Sequence, residues 1–353
     1  LNRLIFDEIL SHFLISSSIR RKIKKIKKVK KKFDNKPIIY IKDKINYTLT
    51  NDQLKSLNEI NSDLKSDKKM FRLLQGDVGS GKTIVALIAC LNVIQSKFQA
   101  AFMAPTEILA KQHYDLAKKV FSDDIRVELL TGKTEYKKKK IILDDLYSGK
   151  IDFLIGTHSL FQNKIKYKKL GLIIIDEQHK FGVRQRKKLS DKAGKNCDVL
   201  VMSATPIPRT MIMTIYGDMD TSIIRSKPKN RKEITTYSKD DKNIDHVIKF
   251  ISKQISNGNQ IFWVCPLIEQ SKKVDHQSSV ERYKILKKIF NNVGLLHGGL
   301  DKIEKEKILF NFLNKKIDII VSTTVIEVGI DFPNANVIII ENANKFGLSQ
   351  LHQ

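Results

Sequence analysis

Short runs of apolar, β-branched residues recur along the first part of the chain: FRLLQ, AAFMAP, VELLTG, DFLIGT, LIIIDE and VLVMSAT. Between them lie helical patterns such as TIVALIACLNVI. Strands that read as continuously apolar are buried on both faces, and their alternation with helices predicts an α/β fold built on a parallel, doubly wound sheet. The pattern breaks at RSKPKNRK, residues 225 to 232, which is polar and holds Pro228. It resumes with EITTYS, QIFWVCP, VGLLHG, DIIVSTT and NVIIIENA. We expect two α/β domains, 45–225 and 236–353, joined by a linker at 226–235.

Residues 1–44 form a separate leading segment. In RRKIKKIKKVKKKF, the apolar positions Ile23, Ile26, Val29 and Phe33 stand three or four apart. That spacing predicts a basic helix with a narrow apolar stripe, lying on the body with its lysines in water. Contact with DNA phosphates is the second reading, and a membrane surface the third.

Composition narrows the classes. With 353 residues and 41% hydrophobic content the chain can fill two cores. No apolar run reaches the roughly 18 residues of a membrane span, because the longest is broken by Asn92 and bounded by Lys82 and Lys97. At the N-terminus the basic run follows the apolar stretch and Asp7 and Glu8 interrupt it, the reverse of a signal peptide. Cys90, Cys197 and Cys265 lie far apart without a CxxC pair, which points to free thiols and a cytoplasmic location. The net charge of +26 suits a polyanionic partner. The excess is mostly lysine in an Ile- and Asn-rich chain, a bias that an AT-rich genome also produces, so charge alone argues only half the case.

The segment GDVGSGKT, residues 76–83, satisfies GxxxxGK(S/T) and sits between a strand and a helix, the context of a phosphate-binding loop. Along Gly76, Asp77, Val78, Gly79, Ser80 and Gly81 the glycines let the backbone turn its N–H groups inward, and the helix N-terminus adds its positive end. Lys82 would reach the β- and γ-phosphates of ATP, and Thr83 would offer its hydroxyl to Mg²⁺. Such a loop needs carboxylates at the end of a nearby strand. LIIIDEQH supplies them, with Asp176 for the Mg²⁺ shell and Glu177 to orient and deprotonate water.

Taken together, GDVGSGKT, DEQHKFGVRQR, APTEILAKQH, MSATPIPRT, PIPRTMIMTIYGDMDTSII, WVCPLIEQS, STTVIEVGIDFPNA and FGLSQLHQ resemble a superfamily 2 helicase, and among these the RecG family of ATP-dependent DNA helicases. NRLIFDEIL resembles the segment preceding that family's motor. The likeness spans nearly the whole chain. It implies two RecA-like P-loop domains and an ATP- and Mg²⁺-dependent motor that remodels forks and Holliday junctions in DNA recombination and repair; the oligomeric state stays open, with a monomer favoured. Gln53 in LTNDQ would read the adenine edge, Gln178 and His179 would complete the DEQH box, and Ser203, Ala204 and Thr205 would couple ATP to DNA. Gly329 and Asp331 would touch the nucleotide. DNA would meet Pro105, Thr106, Thr131, Gly132, Thr157 and His158 in the first domain, and His297, Gly298, Thr323 and Thr324 in the second.

This chain departs from the family at Lys180, near Arg184 and at Gly299, which bears on local ion pairs and one DNA contact. It opens on Leu1 and stops at Gln353 in what reads as a helix start, so the expectation is a fragment with an incomplete second domain. The family's finger arginines would follow FGLSQLHQ, so weak turnover is expected of the sequence as it stands. The alternatives are a transcription-repair coupling translocase, an RNA helicase, or an ATP- and DNA-binding module without turnover.

Overall fold

In the computed structural model the apolar runs of the first half pair as one sheet. The structure describes residues 25–34, 36–45, 48–161, 165–176, 194–204, 219–226, 234–240, 244–266, 274–323, 331–347 and 350–351, with single positions before residue 25. Contacts divide it into two units, Leu1–Arg231 and Lys232–Gln353.

In the first unit α1 (Lys36–Ile45) and α2 (Asn51–Lys65) precede β1 (Phe71–Gly76), α3 (Lys82–Gln95) and β2 (Gln99–Met103). Then come α4 (Glu107–Val120), β3 (Val127–Leu130), α5 (Tyr136–Ser148), β4 (Phe153–Gly156), β5 (Leu170–Asp176), β6 (Asp198–Ser203) and β7 (Asp220–Ile224). Their order in the sheet is β3-β4-β2-β5-β6-β1-β7, and every pairing is parallel. Leu73, Phe102, Leu154, Ile174 and Val201 are fully buried, as a sheet covered on both faces requires. The strand β7 adds to the sequence expectation. It is short and only partly buried, so it lacks the apolar run that marks the others.

The second unit contains α6 (Ile244–Ser256), β8 (Gln260–Val264), α7 (Val274–Ile289), β9 (Val293–Leu296), α8 (Lys302–Leu313), β10 (Ile319–Ser322) and β11 (Ala335–Ile340). Its strands run in the order β11-β8-β10-β9, all parallel. This repeats the β5-β2-β4-β3 portion of the first sheet, helix for helix. A detail repeats too. Gln99, opening β2, donates from Nε2 to Leu146 O (2.9 Å) and Ile151 O (2.8 Å). Gln260, opening β8, donates to Phe312 O and Ile317 O, both at 2.6 Å. Each buried amide satisfies carbonyls at the close of one helix and ahead of the next strand. EITTYS is not a strand: its described residues, from Ile234 onward, are exposed and unpaired with either sheet.

Of the basic helix expected over RRKIKKIKKVKKKF, Arg21 and Lys25 are helical, but residues 26–33 are not. Residues 26–34 form an extended strap, bridged at Lys27 to Lys68 in antiparallel fashion and bonded from Lys31 N to Leu64 O. The polarity is inverted relative to the apolar stripe: Val29 is 53% exposed, while Lys28 and Lys31 are buried. The cause is Asp198, a fully buried carboxylate at the foot of β6. It accepts from Lys28 Nζ at 2.6 Å, Lys31 Nζ at 2.6 Å and Met70 N at 2.7 Å. A charge in that place has to be paired, and the strap delivers the partners. Burial pulls the Lys28 ammonium below its ordinary range, against the opposing pull of Asp198.

All three cysteines are buried and free. Burial raises the thiols of Cys197 and Cys265 to about 12, with a neighbouring carboxylate adding to the rise, which makes them unreactive.

Candidate nucleotide and nucleic-acid site

Strand β1 delivers its carboxyl end directly into residues 76–83. Gly79 and Gly81 take φ of 74° and 83°, the left-handed conformation that a side chain resists. Helix α3 starts with no side-chain cap at Gly81, and its N-terminus presents the positive end of the helix that suits an anion. The Lys82 ammonium is folded back over the loop, donating to Gly76 O (2.6 Å) and Asp77 O (3.0 Å). A Cβ on Gly76 would lie 2.6 Å from Ser80 Oγ. That hydroxyl is buried with no hydrogen-bond partner among the described residues. A tight loop with an orphaned donor and a poised cation has the chemistry of a phosphate cradle.

Gln53 lies against this loop, fully buried. Its Nε2 donates to Ser80 O (2.7 Å) and its Oε1 accepts from Thr50 N (2.8 Å), closing a capping box at the start of α2. In this arrangement the amide braces the loop, and reading an adenine edge would exchange those bonds. The chain leaves β7 beside the same helix end: Asp52 accepts from Ser226 N (2.8 Å) and Arg225 N (3.0 Å). These backbone donors lower the Asp52 carboxyl below its usual range.

Asp176 ends β5, two strands from β1, with β6 between them. Its register partner is Met202, and Gln75 pairs with Ser203. Ser203 and Ala204, both buried, therefore stand between the phosphate loop and Asp176. Asp176 Oδ2 lies 2.9 Å from His113 Nε2. The sequence reading missed His113. Its segment, APTEILAKQH, was visible, but nothing local signals a contact across 63 positions.

The first-unit DNA candidates follow β2, β3 and β4, which are neighbours in the sheet. Strands β3 and β4 approach so closely that a Cβ on Gly156 would fall 2.1 Å from Leu130 O, setting Thr131 and Thr157 side by side. Thr106 caps α4 by accepting from Leu109 N. Glu107 accepts from Gly132 N (3.1 Å) and pairs with Lys133 at 3.6 Å, tying the two loops. In the second unit His297 follows β9 and Thr323 follows β10, the repeat positions of Thr131 and Thr157. His297 Nδ1 accepts from Gly299 N (3.2 Å), and a Cβ on Gly298 would meet open space. Asp331 is exposed. Glu177, Gln178, His179, Thr205, Thr324, Gly329 and the divergent Lys180 and Arg184 lie outside the described residues, as does the side chain of His158.

Comparison with known proteins matches the geometry. Residues 50–214 fit the model for a DEAD/DEAH box helicase, and residues 242–353 fit the helicase conserved C-terminal domain. The chain is 44% identical to the ATP-dependent DNA helicase RecG of Bacillus subtilis, over 99% of its own length and 52% of that protein. It is 46% identical to that of Thermotoga maritima, over 99% and 45% respectively. The chain thus spans about half the length of the curated relatives it matches. A structure of RecG bound to a three-way DNA junction superposes with a TM-score of 0.88 at 43% identity, covering all of this chain and 46% of that one. The DEAD-box helicase Mss116, bound to single-stranded RNA and UDP-BeF, shares the fold at 20% identity and a TM-score of 0.62, over 87% of this chain and 67% of its own.

Proposed function

The chain belongs to the RecG family, and from that premise we propose that it is the ATP-driven motor of a DNA helicase that remodels branched DNA, forks and Holliday junctions among them, in recombination and repair. The observation that carries this reading is the division of one sheet edge. The loop after β1 and the carboxyl ends of β5 and β6 carry groups suited to phosphate and metal, and loops after β2, β3 and β4 offer hydroxyls and backbone N–H groups. Such groups track a phosphate backbone without reading bases.

In this reading Lys82 meets the β- and γ-phosphates, and the loop N–H groups with Ser80 Oγ surround them. Thr83 and Asp176 are hard oxygen donors, which Mg²⁺ prefers in company with phosphate and water. Held there, Mg²⁺ would supply charge neutralisation for the transferring group. Glu177, next along the chain, takes the proton of the attacking water. Ser203 and Ala204, between the two nucleotide loops, relay the change toward the DNA loops. Gln53 holds the phosphate loop until adenine arrives.

The deciding experiment is ATP hydrolysis with and without DNA, comparing a three-way junction with linear duplex of equal length. Greater stimulation by the junction is expected, and indifference to DNA would refute the motor. Changing Glu177 to Gln should leave ATP and Mg²⁺ bound and slow turnover by about 10²- to 10⁴-fold, since an amide keeps the shape but takes no proton. A parallel collapse in nucleotide affinity would reassign Glu177 to binding. DNA affinity should fall with salt, log K against log[salt] losing about 0.9 per phosphate contacted on duplex, with little sequence preference. A flat salt response would remove phosphates from the interface.

A further inference from the structure

Helix α4 is held at two places, and they belong to different halves of the sheet edge. At its first turn, Thr106 caps the helix and Glu107 reaches the β3 loop through Gly132 N and Lys133. Two turns on, His113 points across β2 to Asp176, its ring packed on Phe102 with centroids 4.5 Å apart. Both His113 and Asp176 are buried, at 7% and 6% exposure. Serving as a metal ligand, the Asp176 carboxylate would only accept, which requires the contact to have His113 Nε2 as donor and Oδ2 as acceptor.

We propose that His113 is the positioning residue for the metal-binding carboxylate, and that through α4 it links the DNA-facing loops to Asp176. The proposal rests on the nucleotide and DNA reading above. Groups that hold a metal ligand from behind fix its rotamer, and losing one typically costs about 10- to 100-fold in metal affinity or activity. Asp176 has one such holder among the described residues, and that holder is carried by the element whose first turn joins two candidate DNA loops. A shift of α4 on binding DNA therefore moves the Nε2–H donor, and with it the carboxylate. The coupling is direct: a rigid helix of 14 residues with one contact at each end of the path.

The test uses His113→Phe, which keeps the ring packing on Phe102 and removes the donor, and His113→Gln, whose amide nitrogen can occupy the Nε2 position. Mg²⁺ is titrated into each variant with a fluorescent ATP analogue, nucleotide affinity is measured in EDTA, and the DNA-stimulation ratio of ATP hydrolysis is recorded. For His113→Phe the half-saturating Mg²⁺ should rise about 10- to 100-fold. The affinity in EDTA should hold, and the DNA-stimulation ratio should drop. His113→Gln should recover most of each change. Unchanged Mg²⁺ dependence in His113→Phe, or loss of nucleotide affinity in EDTA to the same degree, overturns the proposal by making His113 a packing residue. Should His113→Phe not fold, His113→Asn, whose amide falls short of the carboxylate, takes its place with the same expectations. Asp176→Asn is the control: if it leaves Mg²⁺ dependence untouched, the metal reading of the site fails, separately from the role of His113.

Discussion

Lys82→Ala should cut ATP hydrolysis by about 10³-fold or more and weaken nucleotide binding, with the fold intact. The expectation follows from where the ammonium stands. It is 8% exposed and held over the loop by Gly76 O and Asp77 O, so its charge is placed before any ligand arrives. Cations fixed beside a transferring phosphoryl group act on charge that develops there; an arginine finger doing so is worth about 10³ to 10⁵ in rate, and Lys82 is set at the lower end of that scale. Alanine also strips two carbonyls of a donor, a smaller effect of about 1 kcal/mol that appears in stability and not in rate. Phosphate release at saturating DNA, alongside a thermal melt, separates the two. Retained turnover in the variant would mean that residues 76–83 are not the phosphate loop.

Asp198→Asn should destabilise the first unit by about 3 to 5 kcal/mol, the usual consequence of removing one member of a buried ion pair. Here the remainder is worse than usual, because one carboxylate serves two lysines whose side chains are fully buried. The amide keeps the volume and one acceptor for Met70 N, so the loss reports charge and not packing. Urea unfolding followed by circular dichroism measures it. The triple variant Lys28→Met, Lys31→Met, Asp198→Leu should recover most of the stability, since apolar replacement of a whole buried charge cluster is often neutral. A loss below about 1 kcal/mol in the single variant would show that the strap is not held by this cluster.

The sheet and the glycine-rich loop were legible for one reason: both are written in contiguous residues. Continuous apolar runs announced β1 to β6, and the eight positions of GDVGSGKT carry their own context. What escaped depends on partners far along the chain. Nothing in KKIKKVKKK distinguishes Lys28 and Lys31 from the solvated lysines around them. The available hint was Asp198, a carboxylate opening the otherwise apolar strand DVLVMS, as unexplained in sequence as it is well paired in three dimensions. EITTYS has strand-like residues, but propensity without a neighbouring edge makes no strand. Gln53 was found by its motif, yet its bond to Ser80 O links positions 27 apart and could not be inferred from either one.

For the motor proposed above, the strap has a mechanical meaning. Tension on the chain ahead of residue 26 would meet first the backbone bonds that tie Ile26 and Lys28 to Lys69 and Asp67, and then Asp198, where three donors converge on one carboxylate. From that foot β6 runs straight to Ser203, a span of about 17 Å at the usual rise of a strand. The strand is flanked on both sides by parallel neighbours, β5 and β1, so it cannot stretch or peel away without shearing two ladders of backbone hydrogen bonds at once. Force arriving at the bottom of the sheet would therefore pass along β6 to Ser203, between the proposed phosphate loop and Asp176: in that reading β6 is a tie-rod, anchored by salt at one end and by the proposed nucleotide site at the other.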